Sequence, residues 1–411
     1  MSMNRTPRSN RTHIAIFGRR NVGKSSVINA LTNQSISLVS DVAGTTTDPV
    51  FKSMEILPLG PCVLIDTAGI DDVGVLGTMR VDRTYDVINK TDIGLVVFDV
   101  AQRAFDDELR LIKEFKKRKK PYLLVGNKID ASTNQDYQRV FVDDDVHLVS
   151  AVDRTGIHEL KEAIGTTLEI EEEKFRLVGD LIQPGDIVVL VTPIDKAAPK
   201  GRLILPQQQV IRDVLESDAI AIVTKEYELR ETLMNLNKPP ALVVTDSQAF
   251  LKVSADTPPS VPLTSFSILF ARNKGDLPEL VKGAVAIESL KNGDKILISE
   301  GCTHHRQSDD IGTVKIPRWL RQHTGKDFEF LYSSGYSFPK ELDDVQLVVH
   351  CGACMLNKAD MMHRISEVTK RNIPIVNYGV LISYVHGIFE RALAPFPEAA
   401  IVHAEANDKH P

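Results

Sequence analysis

Tryptophan occurs once and cysteine four times in 411 residues, and Lys and Arg (49) are outnumbered by Asp and Glu (55). No apolar run approaches the roughly 18 residues that a membrane helix requires. The net charge of −6 and a pI near 6.0 leave no global basic field to draw the chain onto nucleic acid. The one basic run, Lys116–Lys120, reads as a solvated helix end. Met1–Arg11 is polar and basic without the apolar centre of a signal peptide. The expectation is a cytoplasmic protein with a disordered tail over 1–10 and neither a membrane nor a nucleic-acid partner. In a reducing compartment, its few cysteines read as metal ligands or catalytic groups rather than disulfides.

The chain is long enough for two or three domains, each with its own core. From Ile14 to about Leu168, short apolar runs at Ile14–Phe17, Val63–Ile65, Gly94–Phe98, Tyr122–Val125 and His147–Val149 alternate with segments of helical period. That alternation predicts a doubly wound α/β domain with a mainly parallel sheet over 11–170, followed by a charged linker at 171–177. A middle α/β domain is expected over 178–265, with strands at Asp186–Val191, Ala219–Val223 and Ala241–Val244 and helices at Gln207–Leu215 and Glu226–Leu236. It carries no catalytic constellation and reads as an association or spacer domain. A third α/β domain, 266–411, is expected to contain helices Leu277–Leu290, Ala359–Lys370 and Leu381–Leu393 and strands Lys295–Ile298, Gln346–Val349 and Ile373–Val376.

Gly18-Arg19-Arg20-Asn21-Val22-Gly23-Lys24-Ser25 follows a strand and opens a helix, the context of a P-loop. Its glycines let backbone N–H groups from Gly18 to Ser26 wrap the phosphates, Lys24 supplies charge to the β and γ groups, and Ser25 reaches Mg2+. Asp66-Thr67-Ala68-Gly69 places a carboxylate near the magnesium and a Gly69 N–H to sense the γ-phosphate. Asn127-Lys128-Ile129-Asp130 follows a strand, and Asp130 can accept two hydrogen bonds from guanine, whereas adenine would leave that carboxylate facing an acceptor. Ser150-Ala151 completes the base pocket, and Thr45-Thr46-Thr47 lies where a first switch carries its magnesium threonine. The motifs, in order and on the right elements, identify a GTPase that binds GTP and GDP. Ile70 stands where a Ras-like enzyme carries its water-orienting glutamine, so intrinsic hydrolysis is expected to be slow.

Gly44-Thr45-Thr46-Thr47-Asp48 resembles the Gly-Thr-Thr-Arg-Asp pattern of the TrmE–Era GTPases, which selects Thr46 as the magnesium ligand, with Thr47 departing from the arginine. In that group an asparagine at the place of Asn21 helps hold K+ beside the phosphates, a charge that replaces an arginine finger; otherwise Asn21 stabilises the loop.

Near the C-terminus stand Cys302-Thr303-His304 and His350-Cys351-Gly352-Ala353-Cys354, each just past a predicted strand. Three thiols with one Cys-x-x-Cys pair suit either a Cys3His zinc site or a 4Fe-4S cluster with one non-cysteine position, and His304 or His350 could complete either or simply line the site. Cys62, at the start of a strand, reads as a small core residue.

A P-loop GTPase, a middle domain and a terminal Cys-x-His…His-Cys-x-x-Cys together resemble the FeFe-hydrogenase maturation GTPases, the HydF family, along essentially the whole chain. The resemblance implies a dimerising middle domain and a 4Fe-4S cluster on Cys302, Cys351 and Cys354 lined by His304 and His350. It also implies radical-SAM maturases and the FeFe-hydrogenase apoprotein as partners in assembling or delivering a diiron precursor. The competing reading is an RNA- or ribosome-linked GTPase with a structural zinc, against which stand the acidic charge and the lack of a basic domain.

Overall fold

The computed structural model describes residues 11–32, 50–56, 60–67, 84–132, 134–172, 176–193, 203–301, 310–335, 338–339, 341–353 and 356–407. Thr46, Gly69, Cys302, His304, Cys354 and the 1–10 tail lie outside these residues. The chain divides into two compact units, Met1–Lys174 and Phe175–Pro411.

The first unit is built on strands β1 (Thr12–Phe17), β2 (Val50–Ile56), β3 (Gly60–Asp66), β4 (Ile93–Asp99), β5 (Tyr122–Asn127) and β6 (Val146–Val149) in the order β2-β3-β1-β4-β5-β6. All neighbours are parallel except β2, which runs antiparallel along β3. The run Ile14–Phe17 is apolar at every position because both faces of the sheet are covered. Ile14 and Ile16 pack with Val27, Ile28, Leu160 and Ile164 from helices Lys24–Thr32 and Ile157–Glu172. Ala15 and Phe17 pack on the other face with Leu111, Ile112 and Phe115 of helix Asp106–Lys117. This is the P-loop GTPase architecture expected from the sequence, with the β1 to helix turn at the carboxyl edge of the sheet where successive strands go to opposite sides.

The second unit holds two parallel four-stranded sheets. One is formed by β7 (Ile187–Val191), β8 (Ile220–Thr224), β9 (Leu242–Thr245) and β10 (Leu263–Ser265) in the order β10-β9-β7-β8. The other is formed by β11 (Lys295–Glu300), β12 (Glu329–Ser334), β13 (Leu347–His350) and β14 (Ile375–Asn377) in the order β12-β11-β13-β14. One continuous apolar core runs from Val188 and Val243 through Leu269 to Ile298 and Val349. After β11 the chain goes to one side for β12 and returns to the other for β13, so β11 and β13 flank a switch point of the kind that opens a ligand crevice.

Three expectations for local structure are revised. The helix expected over Leu277–Leu290 is α-helical only to Val285 and tightens to a 3-10 turn at Ala286–Ser289. The helix expected over Leu381–Leu393 is two helices, Tyr378–Val385 and Phe389–Leu393, broken at Gly387, whose φ of 70° suits glycine. The strand expected over Ile373–Val376 starts at Ile375, because Pro374 has no N–H for the ladder, although its carbonyl accepts from Val348.

Candidate functional site: a nucleotide cleft and a cysteine-bearing strand edge

In the first unit Gly18, with φ 149°, lies against the Val97 carbonyl, and Gly23, with φ 93°, lies against the Asn127 amide. A Cβ at either would strike those groups, so the loop needs glycine there to stay close to β4 and β5. Lys24 Nζ donates to the carbonyls of Gly18 (2.9 Å) and Arg19 (2.8 Å), which keeps the ammonium over the loop that would cradle phosphates. Asn127 ties the site together, since its Nδ2 donates to Val22 O at 2.9 Å and its Oδ1 accepts from Ala151 N at 3.1 Å. Ser150, fully buried, accepts from Asp153 N on its Oγ. Lys128 Nζ bridges Asn21 O (2.8 Å) and Asp99 Oδ2 (2.7 Å), while Asp130, Ser25 and Ser26 are exposed. The geometry therefore brings Gly18, Asn21, Val22, Gly23, Lys24, Ser25, Asp66, Asn127, Lys128, Ser150 and Ala151 into one neighbourhood.

Asp66 and Ser25 meet at the cleft, with Ser25 Oγ donating to Asp66 Oδ2 at 3.5 Å. Burial raises the Asp66 carboxyl above its usual range, opposed by Lys24 and by the Ser25 hydroxyl. Asp66 Oδ1 is buried and, among the described residues, has no hydrogen-bond partner. A buried carboxylate oxygen is costly to leave unsatisfied, so this pair fits Mg2+, which when bound would neutralise developing phosphate charge. Two residues of this cleft carried no sequence signal. Arg19 Nε pairs with Asp107 (3.0 Å) and with the fully buried Glu108 (3.5 Å), fastening the P-loop to helix Asp106–Lys117. Asp99, the last residue of β4, anchors Lys128.

In the second unit, Cys351 follows β13 at the switch point. Its backbone N donates to Ser299 O of β11 at 2.9 Å, and its Sγ accepts from Gly301 N at 3.2 Å. Gly301 directly precedes Cys302 in the sequence. His350 is fully buried, and both ring nitrogens are engaged: Nδ1 lies 2.8 Å from Cys351 O and Nε2 lies 3.2 Å from a guanidinium nitrogen of Arg364. An N–H of that guanidinium donates to Nε2, so the imidazole proton sits on Nδ1 and donates to the Cys351 carbonyl. Burial, then the Arg364 charge, pushes His350 down to about 4. Arg364, also fully buried, pairs through Nε with Asp360 at 3.1 Å. Nearby, Tyr378 donates to Glu300 Oε1 at 3.0 Å, and burial first, then the Glu300 and Cys351 charges, hold its proton on the phenol. No group of three or more metal-ligating side chains assembles among the described residues. Cys62 is a buried core thiol of the first unit, and burial pushes it up to about 11.

Residues 13–128 match the family model of a 50S ribosome-binding GTPase, residues 177–275 that of the hydrogen maturase F dimerization domain, and residues 278–395 that of the hydrogen maturase F tetramerization domain. This chain belongs to the hydrogen maturase F family. The GTPase domain over residues 13–128, shared with other GTPases, hydrolyses GTP and takes GTP, GDP and Mg2+. Over 152 residues this maturase F chain is 36% identical to the tRNA modification GTPase MnmE of Aquifex aeolicus, covering 37% of this chain and 33% of that protein. Over 161 residues it is 33% identical to the GTPase Der of Campylobacter hominis, covering 38% of this chain and 35% of that protein. The maturase F chain thus spans about a third of the length of these relatives. Among solved structures, the G domain of the T. maritima FeoB iron transporter is 25% identical with a TM-score of 0.29, covering 37% of this chain and 96% of that one. Among the described residues no helix is long and apolar enough to cross a membrane.

Proposed function

We propose that this hydrogen maturase is a scaffold and carrier that holds a 4Fe-4S cluster on Cys302, Cys351 and Cys354. GTP hydrolysis would switch the assembly or delivery of a diiron precursor to the FeFe-hydrogenase apoprotein, with radical-SAM maturases as further partners. In this reading residues 11–170 form the switch, 178–265 the dimerising region and 266–411 the cluster-binding region, all in the cytoplasm and without a nucleic-acid partner. The observation that supports it is the Gly301 N–H, one residue before Cys302 in the sequence, donating to Cys351 Sγ at the β11–β13 switch point. A hydrogen bond to sulfur favours the thiolate form and is one of the levers by which proteins tune such clusters. Three thiolates leave one iron to a different ligand, and an exchangeable position suits a protein that must release its cargo.

The engagement of both His350 nitrogens supports a lining role for that residue, leaving His304 as the histidine candidate for the non-cysteine position. At the nucleotide, Ser25 and Thr46 would ligate magnesium, Gly69 would sense the γ-phosphate, Asp130 would read guanine, and Asn21 would hold K+. Anaerobic reconstitution followed by iron and zinc analysis tests the cluster: iron should reach the stoichiometry of a 4Fe-4S cluster, and Cys302→Ser, Cys351→Ser and Cys354→Ser should each lose it. Zinc without iron after the same preparation would replace this reading with the RNA-linked GTPase.

A further inference from the structure

Lys274 ends the helix Phe266–Lys274 and is 5% exposed. An ammonium that far from water is expensive unless its environment answers the charge. Its Nζ donates to Leu356 O at 2.9 Å and to Ala353 O at 3.3 Å, and it lies 5.6 Å from the centroid of the Phe270 ring. The carboxyl end of its own helix adds a favourable partial charge. The two carbonyls belong to residues on either side of Cys354 in the sequence, so one buried cation holds the backbone both before and after that cysteine. Ala353 takes φ 53°, a left-handed conformation that a residue with a Cβ rarely adopts. Leu356 N returns to Ala353 O at 3.1 Å, so the same strained carbonyl serves both the turn and Lys274. Cys351, at the head of the turn, is meanwhile fixed to β11 through Ser299 O, and its own carbonyl is held by His350, which Arg364 orients.

A turn that only needed to be folded would be served by a neutral donor or by an apolar plug. A turn that carries thiolates gains from a fixed positive charge, which favours the thiolate over the thiol and favours added electrons on whatever the thiolates hold. We propose that Lys274 is a positioning residue of the cysteine site, fixing the backbone at Ala353 and Leu356 through their carbonyls and supplying the buried positive charge that offsets the negative charge gathered there. This rests on the assignment of Cys351 and Cys354 as cluster ligands.

The test compares full-length wild type, Lys274→Arg, Lys274→Gln and Lys274→Met after anaerobic reconstitution. Three quantities are read: iron retained against a chelator, the midpoint potential of the cluster by EPR-monitored titration, and the unfolding midpoint of the metal-free protein. Removing the charge should shift the reduced-to-oxidised ratio at fixed potential by about tenfold towards the oxidised form, which for a one-electron couple is about 59 mV more negative. Lys274→Gln, which keeps a donor but no charge, should show that shift together with faster iron loss, while Lys274→Arg should stay near the wild-type potential. If Lys274→Gln folds, keeps its iron and titrates at the wild-type potential, Lys274 is only a packing residue and the inference fails while the cluster assignment stands. If Lys274→Met does not fold, the Gln and Arg pair carries the comparison. A wild type that takes up no iron would instead overturn the cluster assignment, and the inference with it.

Discussion

Asn21 stands in the left-handed region at φ 64°, which asparagine tolerates better than most residues. Its carbonyl is held by Lys128 Nζ, so the backbone is anchored while the residue stays exposed at the mouth of the phosphate loop. With isoleucine at position 70, no glutamine follows Gly69 to orient water, and in the proposed reading a monovalent cation at Asn21 adds to the transition-state charge supplied by Lys24 and Mg2+. Hydrolysis should therefore run faster in KCl than in NaCl by about tenfold, equivalent to about 1.4 kcal/mol of barrier. Asn21→Ala should lose the difference while leaving the sodium rate nearly unchanged. Equal wild-type rates in matched salts would reduce Asn21 to a loop residue. At this scale the nucleotide residues were legible because a P-loop and its companion motifs have fixed spacings set by backbone contact with phosphate. Lys274 and Arg364 were not legible. A lysine ending a helix and an arginine within one look like solvated charges, and only the packing of distant segments removes them from water.

Strand β8 is an edge of its sheet, and its side chains are unusually apolar for one, with Ile220 50% and Val223 45% exposed. Leu215 just before it and Tyr227 and Met234 just after it are also exposed. Unprotected apolar edges are templates for pairing, and this one falls within the region matching the dimerization domain. We expect Ile220→Lys with Val223→Lys to lower the oligomer mass by light scattering while GTP turnover by the separate first unit is unchanged. An unaltered mass would place the contact elsewhere. The central strands were readable from sequence because burial on both faces leaves an uninterrupted apolar run. Edge strands were not. β2 pairs on one side only, and β12, Glu329–Ser334, mixes exposed and half-buried residues, with none buried, and carries a glutamate, so neither offers such a run. The helix caps Asn357 and Asn377 accept from Asp360 N and Val380 N and contribute about 1 kcal/mol each, which is why the starts of these two helices are sharp.

For the whole molecule, the distribution of apolar cores sets how it should unfold. The nucleotide unit keeps its own two cores, one on each face of the β1–β6 sheet. The second unit has a single core shared by the β7–β10 and β11–β14 sheets, reinforced where Arg391 donates to the carbonyls of Ser254, Thr257 and Pro258. Sequence alternation alone suggests three separate blocks, because a shared core between two sheets leaves no mark in local periodicity. Calorimetry of the metal-free chain should therefore resolve two transitions. GDP with magnesium at 100 times its Kd stabilises the unit that binds it by about 2.7 kcal/mol. For a domain of that size this raises its midpoint by roughly 5–10 °C. The other transition should not move, and Cys351→Ser should leave the nucleotide-sensitive one unchanged. A third transition would mean that the two sheets of the second unit do not share their stability. A single transition that shifts as a whole with GDP would mean that the nucleotide unit does not unfold on its own, and that its ligand acts on the stability of the cysteine-bearing sheet as well.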